Sequence, residues 1–150
     1  MYNLRVFIPR LTMNQLKEKN HALQNAIGHI ESIVKDYERL SYLESLNPTS
    51  CEEEEEIEQI KESILNSALS VEFRSGWTSN PNDIELEEFK ILLTWGGPAL
   101  RVIGELNQYK EPDNIKMQFQ DWGTYWTDFE ITENQQEALN WFCNCFYFGD

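Results

Sequence analysis

The chain has 150 residues, enough for one domain that buries roughly 70% of the surface its unfolded form exposes. With 41% hydrophobic and 13% aromatic residues it is too apolar to be disordered throughout. Its 26 acids against 12 bases give a net charge of −14, a field that repels phosphate backbones and anionic membrane surfaces, disfavours direct DNA or RNA binding, and attracts basic partners.

The charge is unevenly spread. Residues 1–40 hold six bases and four acids, whereas residues 41–150 hold six bases and 22 acids, so that part alone carries −16. Leu4 to Ile8 reads as a short strand stopped by Pro9. A long helix follows, with Thr12 as N-cap, Gln15 three residues on, and Leu11 able to staple onto Leu16. Its apolar stripe runs Leu16, Leu23, Ile27, Ile30, Val34 and Tyr37, widened by Ala26, Ile33 and Leu40. The helix is expected to end near Leu46, before Asn47-Pro48.

A second helix starts at Ser50, where Ser50 and Glu53 form a capping box and Glu52 to Glu56 fill the first turn, the end that the helix dipole makes favourable for acids. Ile57, Ile60, Ile64 and Ala68 make its apolar side. Two such helices joined by a short Pro-containing turn predict an antiparallel helical hairpin. From Val71 the pattern changes to strands, at about Ser70–Arg74, Glu87–Trp95, Leu100–Leu106 and Ile115–Asp121. Turn residues separate them at Ser79–Asp83, Gly96-Gly97-Pro98 and Glu111–Asn114, so an antiparallel meander is expected. Ile115, Met117, Phe119 and Asp121 alternate with Lys116, Gln118 and Gln120, as in a sheet with one wet face. A last helix starts at Thr132, capped with Gln135, and carries Ala138, Leu139, Phe142, Cys145 and Phe146 on one side. The expected fold is thus α+β, one domain over 1–150: a helical part at about 11–69, then an antiparallel sheet of about four strands and a C-terminal helix at about 70–150.

The N-terminal residues MYNLRVFIPR lack the apolar segment and small-residue cleavage site of a secretory signal, and no apolar run approaches the ~20 residues of a membrane span. With three cysteines, an odd number, the expected home is a reducing cytoplasm. No catalytic centre emerges. Cys143 and Cys145 are two apart on a helix and point to different sides, which excludes a C-x-x-C site; Cys145 is the expected core residue. Cys51 sits at a helix N-terminus, but the five glutamates after it oppose thiolate formation. His21 and His29 lie eight apart with no third ligand, and the acids form no calcium loop. Phosphate-loop and nucleophile-elbow motifs do not occur. No cofactor and no metal are expected.

The features left are acids and aromatics. Glu52, Glu53, Glu54, Glu55, Glu56, Glu58 and Glu62 crowd the second helix; Glu54, Glu58 and Glu62 fall four apart, lining one face at steps of ~6 Å. Such a row resembles a phosphate strand, which carries one charge per ~3.4 Å of axis. The plain alternative is a solvated helix face. Asp83, Glu85, Glu87 and Glu88 form a second acidic group on the sheet side. Trp122, Tyr125, Trp126 and Phe129 follow the last strand; the interleaved charges are Asp121 and Asp128, which argues against base stacking and leaves core packing or a protein-binding anchor.

The segments ILLTWGGPALRVIGELNQY (Ile91–Tyr109), QDWGTYWTDF (Gln120–Phe129) and FYFGD (Phe146–Asp150) resemble a family of small uncharacterised proteins of phages and other mobile elements. The first 90 residues lie outside the resemblance. It implies no catalytic residues. Small acidic phage proteins are often inhibitors of host defence, several of them DNA mimics, so the expectation is an anti-CRISPR or antirestriction protein whose partner is a basic nucleic-acid-binding protein, a Cas effector or restriction enzyme. The competing expectations are an acidic interaction module, binding through the aromatics or pairing as a dimer through the long helix, and a small metal-dependent enzyme such as a nuclease. Either a monomer or a homodimer is compatible with the sequence.

Overall fold

In the computed structural model the described residues are 13–47 and 50–149, with side chains described from residue 21 onward. The expected strand at Leu4–Ile8 and the Thr12 start signal lie outside them. Helix α1 spans Met13–Ser45, about 50 Å of helix. It ends where Asn47 takes φ 49°, a left-handed conformation that asparagine tolerates, while the Leu46 and Asn47 amides donate to the carbonyls of Leu43 and Glu44. Helix α2 spans Cys51–Ser67, and the Ser50 hydroxyl accepts from the Glu53 amide as its N-cap.

The sheet that follows is a meander. Strands β1 (Ser70–Ser75), β2 (Leu86–Thr94), β3 (Ala99–Leu106), β4 (Pro112–Gln120) and β5 (Thr127–Asp128) pair in sequence order, every neighbour antiparallel. Among the described residues the expected count of four rises to five, because β5 adds two residues against Phe119 and Gln118, too few to show periodicity in the sequence. The Gly96-Gly97-Pro98 segment is the turn between β2 and β3, as its composition predicts, with Gly96 at φ 141°. Helix α3 (Glu133–Asn144) carries the full capping box: Thr132 Oγ1 accepts from the Gln135 amide, and the Gln135 side chain accepts from the Thr132 amide.

Period-two alternation sends one side of the sheet into the core. Phe89, Ile91 and Leu93 of β2, Leu100 and Val102 of β3, and Ile115, Met117 and Phe119 of β4 are buried in one cluster with Ala138, Leu139 and Phe142 of α3. Helix α1 joins this cluster through Ala22, Ala26, Ile30 and Ile33, and its last turns close a smaller one, Leu40 and Leu43 with Ile57 of α2. The expected α1 stripe is therefore rotated. Leu23, Val34 and Tyr37 are only partly buried and flank the line of Ala22, Ala26 and Ile30, because the closest approach of a helix to its neighbours favours small side chains. Of the seam from Leu23 to Tyr37, Ala26, Ile30 and Ile33 are buried in the core cluster, and Leu23, Val34 and Tyr37 pack partly against it.

Cys143 is the fully buried cysteine, while Cys145 is the half-buried C-cap of α3. Cys145 keeps helical backbone angles and still packs against the core cluster, but at the helix end it is only partly covered. Among the described residues no helix is long and apolar enough to cross a membrane.

Leu139 is wholly buried, whereas Leu65, on the outer side of α2, is exposed. Leu139→Ala is expected to lower the unfolding free energy by about 3 kcal/mol and Leu65→Ala by no more than about 0.5 kcal/mol, measured by urea denaturation.

Candidate functional site

Helix α2 divides its acids between two environments. Ile57, Ile60 and Ile64 face inward, which leaves Glu54, Glu58 and Glu62 on the outer side, all exposed, with Glu52 and Glu55 exposed beside them. Among the described residues none of these five carboxylates is in an ion pair. Glu53 and Glu56 turn toward the inner side and are half-buried. Arg39 of α1 holds Glu56 in a two-pronged pair, Nε to Oε1 at 2.6 Å and Nη2 to Oε2 at 2.8 Å. That hydrogen bonding holds the Glu56 carboxyl below the usual carboxylate range. Glu56 is thus part of the α1–α2 contact, and the free row is Glu54, Glu58 and Glu62.

The second acidic group sits on a different layer. Asp83 lies in a short 3-10 turn, Pro81–Asp83, and Glu85, Glu87 and Glu88 lead into or begin β2. Here too pairing removes members: Glu88 accepts from Arg74 Nε at 2.5 Å, and Lys110 Nζ stands 3.7 Å from Glu85. No hydrogen bond or ion pair among the described residues links this group to the α2 row. The structure therefore brings together the exposed α2 carboxylates with one another, and two of the sheet-side acids, Glu85 and Glu88, with bases.

The bases themselves are gathered in a place that sequence order conceals. Cross-strand register puts Arg74, Lys90, Arg101 and Lys116 on the same open face of the sheet, four of the six bases beyond residue 40. Arg74 pairs with Glu88, Lys90 with Glu72, and Lys116 with Asp128 at 3.5 Å. Arg101 instead donates from Nε and Nη2 to Gln118 Oε1, at 3.0 and 2.8 Å, and its guanidinium lies 4.1 Å from the Trp126 ring centroid. Gln118 in turn donates to Asp128 at 2.7 Å. The signal for this face was the polar alternation in β4, but the partners across strands depend on register.

The aromatic group is split three ways. Phe129 packs edge-on to Phe119 at the core, and Trp126 is committed to Arg101. Trp122 and Tyr125 are 68% and 93% exposed, so core packing fails for both. Trp122 lies over Gly97, where any β-carbon would strike the indole, and lines a cleft with His21, Asn25 and Thr94. The nearby end of β2 adds a further exposed aromatic, Trp95. Among the described residues no three His, Cys, Asp or Glu side chains converge as metal ligands.

A scan against protein-family models, a search of curated proteins and a search of solved structures each find no match for this chain.

Burial pushes the Cys143 thiol far above its ordinary value and raises that of Cys145, which donates to the Trp141 carbonyl at 3.4 Å. Cys51 is exposed. Alkylation of the native protein followed by mass spectrometry is expected to label Cys51 first, Cys145 slowly, and Cys143 only once denaturant opens the core.

Proposed function

We propose that this protein is an acidic mimic of a nucleic-acid backbone that occupies the basic nucleic-acid-binding groove of a partner, and that the partner belongs to a host defence system directed at nucleic acid, as an anti-CRISPR or antirestriction protein would require. The observation that carries the reading is the row Glu54, Glu58 and Glu62: three exposed carboxylates on one rigid helix face, unpaired among the described residues, with Glu52 and Glu55 beside them. A solvated helix face alone would account for exposure. The distribution of bases adds to it, because Arg39 is engaged by Glu56 and four further bases lie on the open sheet face, so that Lys61 is the single base on α2 itself beside the row. With a net charge of −14, the chain would be steered to a Lys/Arg-lined channel at long range when salt is low. The phage-type assignment rests on the GGPA, QDW and FYFGD motifs by themselves.

A second reading is favoured by one observation, the exposure of Trp122, Tyr125 and Trp95: an interaction module that binds through aromatics, with affinity in the contact rather than in the field. The two readings separate by salt.

Tagged protein is to be tested for capture of Cas-type and restriction nucleases at low and high salt, with and without competing DNA. Mimicry gives capture that falls steeply with salt and is displaced by DNA. Glu54→Lys, Glu58→Lys and Glu62→Lys combined is expected to abolish it while the circular dichroism spectrum is unchanged. Full capture by the folded triple variant would refute the role of the α2 row, and capture indifferent to salt and DNA would favour the aromatic reading.

A further inference from the structure

Strand β1 is an edge of the sheet. It pairs with β2 on one side, and among the described residues its other side receives no backbone hydrogen bond. The opposite edge is blunted, since β5 is only two residues long. Proteins commonly protect a bare edge with proline, a bulge or an uncompensated charge. The sequence Ser70-Val71-Glu72-Phe73-Arg74-Ser75 has no proline, and its only irregularity falls at the far end, between Arg74 and Ser75. Its two charges do not act as guards, because each is already neutralised from β2: Glu72 by Lys90 and Arg74 by Glu88.

The edge is also self-complementary. When β1 is laid antiparallel to a second copy of itself about a two-fold axis at Phe73, Glu72 stands opposite Arg74 of the second copy, and Arg74 opposite its Glu72. The symmetry makes both contacts occur together, as in any isologous interface. Across the junction the open face then reads Lys90, Glu72, Arg74, Glu88, alternating in sign without a break. On the other face Phe73, which is 40% exposed and packs edge-on to Phe148, meets its own copy. By count, Leu69 falls opposite Trp77, and both are large apolar residues standing in solvent beside the strand. Tyr147, next in the chain to Phe148, is exposed as well.

We infer that the β1 edge is a homodimer interface, in which two copies pair antiparallel through Glu72–Arg74 to make one continuous sheet. The inference is independent of the proposed function, since the Glu54, Glu58 and Glu62 row takes no part in the pairing. It also assigns a purpose to the placement of one acid and one base, two apart, on an edge strand of a strongly acidic chain: opposite charges at directly facing positions add to pairing, and like charges there oppose it.

The test is sedimentation equilibrium of the full chain at moderate salt, which screens the repulsion between two acidic molecules. A concentration-dependent rise from 17.7 kDa toward twice that mass is expected. Phe73→Lys sets two lysines face to face on the axis and is expected to weaken the dimer at least about tenfold. Register is read by cross-linking in a Cys51→Ser background. Phe73→Cys forms an intermolecular disulfide under oxidation, because facing residues come within bridging reach. Val71→Cys does not bridge to itself, the two copies lying about 13 Å apart along the strand, but it bridges to Ser75→Cys when the two variants are mixed. A native chain that stays monomeric at all concentrations overturns the inference. Slow hydrogen exchange of the outer β1 amides in such a monomer would assign the edge to another segment of the same chain. A dimer that survives Phe73→Lys and bridges through neither cysteine arrangement overturns the β1 pairing itself.

Discussion

Ala22, Ala26 and Ile30 bring α1 into the buried cluster formed by the core face of the sheet and by α3, and the placement of every other surface follows from that contact. Two small residues one turn apart allow the helix to approach closely, where a larger pair would hold it away. The contact is fixed at both ends. Near its start Asn25 donates to Thr94 of β2 at 3.1 Å, and further along Tyr37 stacks against Trp141 and donates to Glu137 of α3 at 2.9 Å. With α1 held in this way, α2 returns along it, and only one side of α2 has anything to pack against. The other side is where the glutamates stand.

Charge in this protein is sorted by that packing. An amphipathic helix that buries Ile57, Ile60 and Ile64 must expose its remaining sides, and Glu54, Glu58 and Glu62 stand on them. On the sheet the same logic yields the opposite composition. The outward positions of β1 to β4 hold Arg74, Lys90, Arg101 and Lys116, matched to Glu72, Glu88, Gln118 and Asp128. These exposed pairs contribute little to stability individually, so their consequence is for recognition more than for folding. One surface is left strongly negative and another nearly balanced. A basic groove and a second copy of the chain would therefore be drawn to different faces.

Much of the architecture was legible in the chain. Helical spacing in α2, turn residues at Gly96-Gly97-Pro98 and the Thr132–Gln135 capping box each follow from a local rule, and each stands where that rule puts it. The misreadings have local causes too. β5 is too short to show a period, and in α1 alanines, not the largest apolar residues, mark the closest contact. In the aromatic group, the sequence could not tell Trp122 and Tyr125, which stand in solvent, from Phe129, which packs on Phe119, because all four share one short irregular stretch where no periodicity applies.

The acidic character, the order of elements and the residues offered by α2 were determined by the sequence alone, since composition and short-range spacing are properties of neighbours along the chain. Which carboxylates remain free was decided by tertiary structure. Glu56 and Glu58 are two residues apart and chemically identical, yet Arg39, 17 residues earlier than Glu56, takes one and leaves the other in water. The gathering of four bases on one sheet face, and the place of β1 at the sheet's edge among the described residues, likewise depend on strand register and strand order, which are set only when the core face is buried.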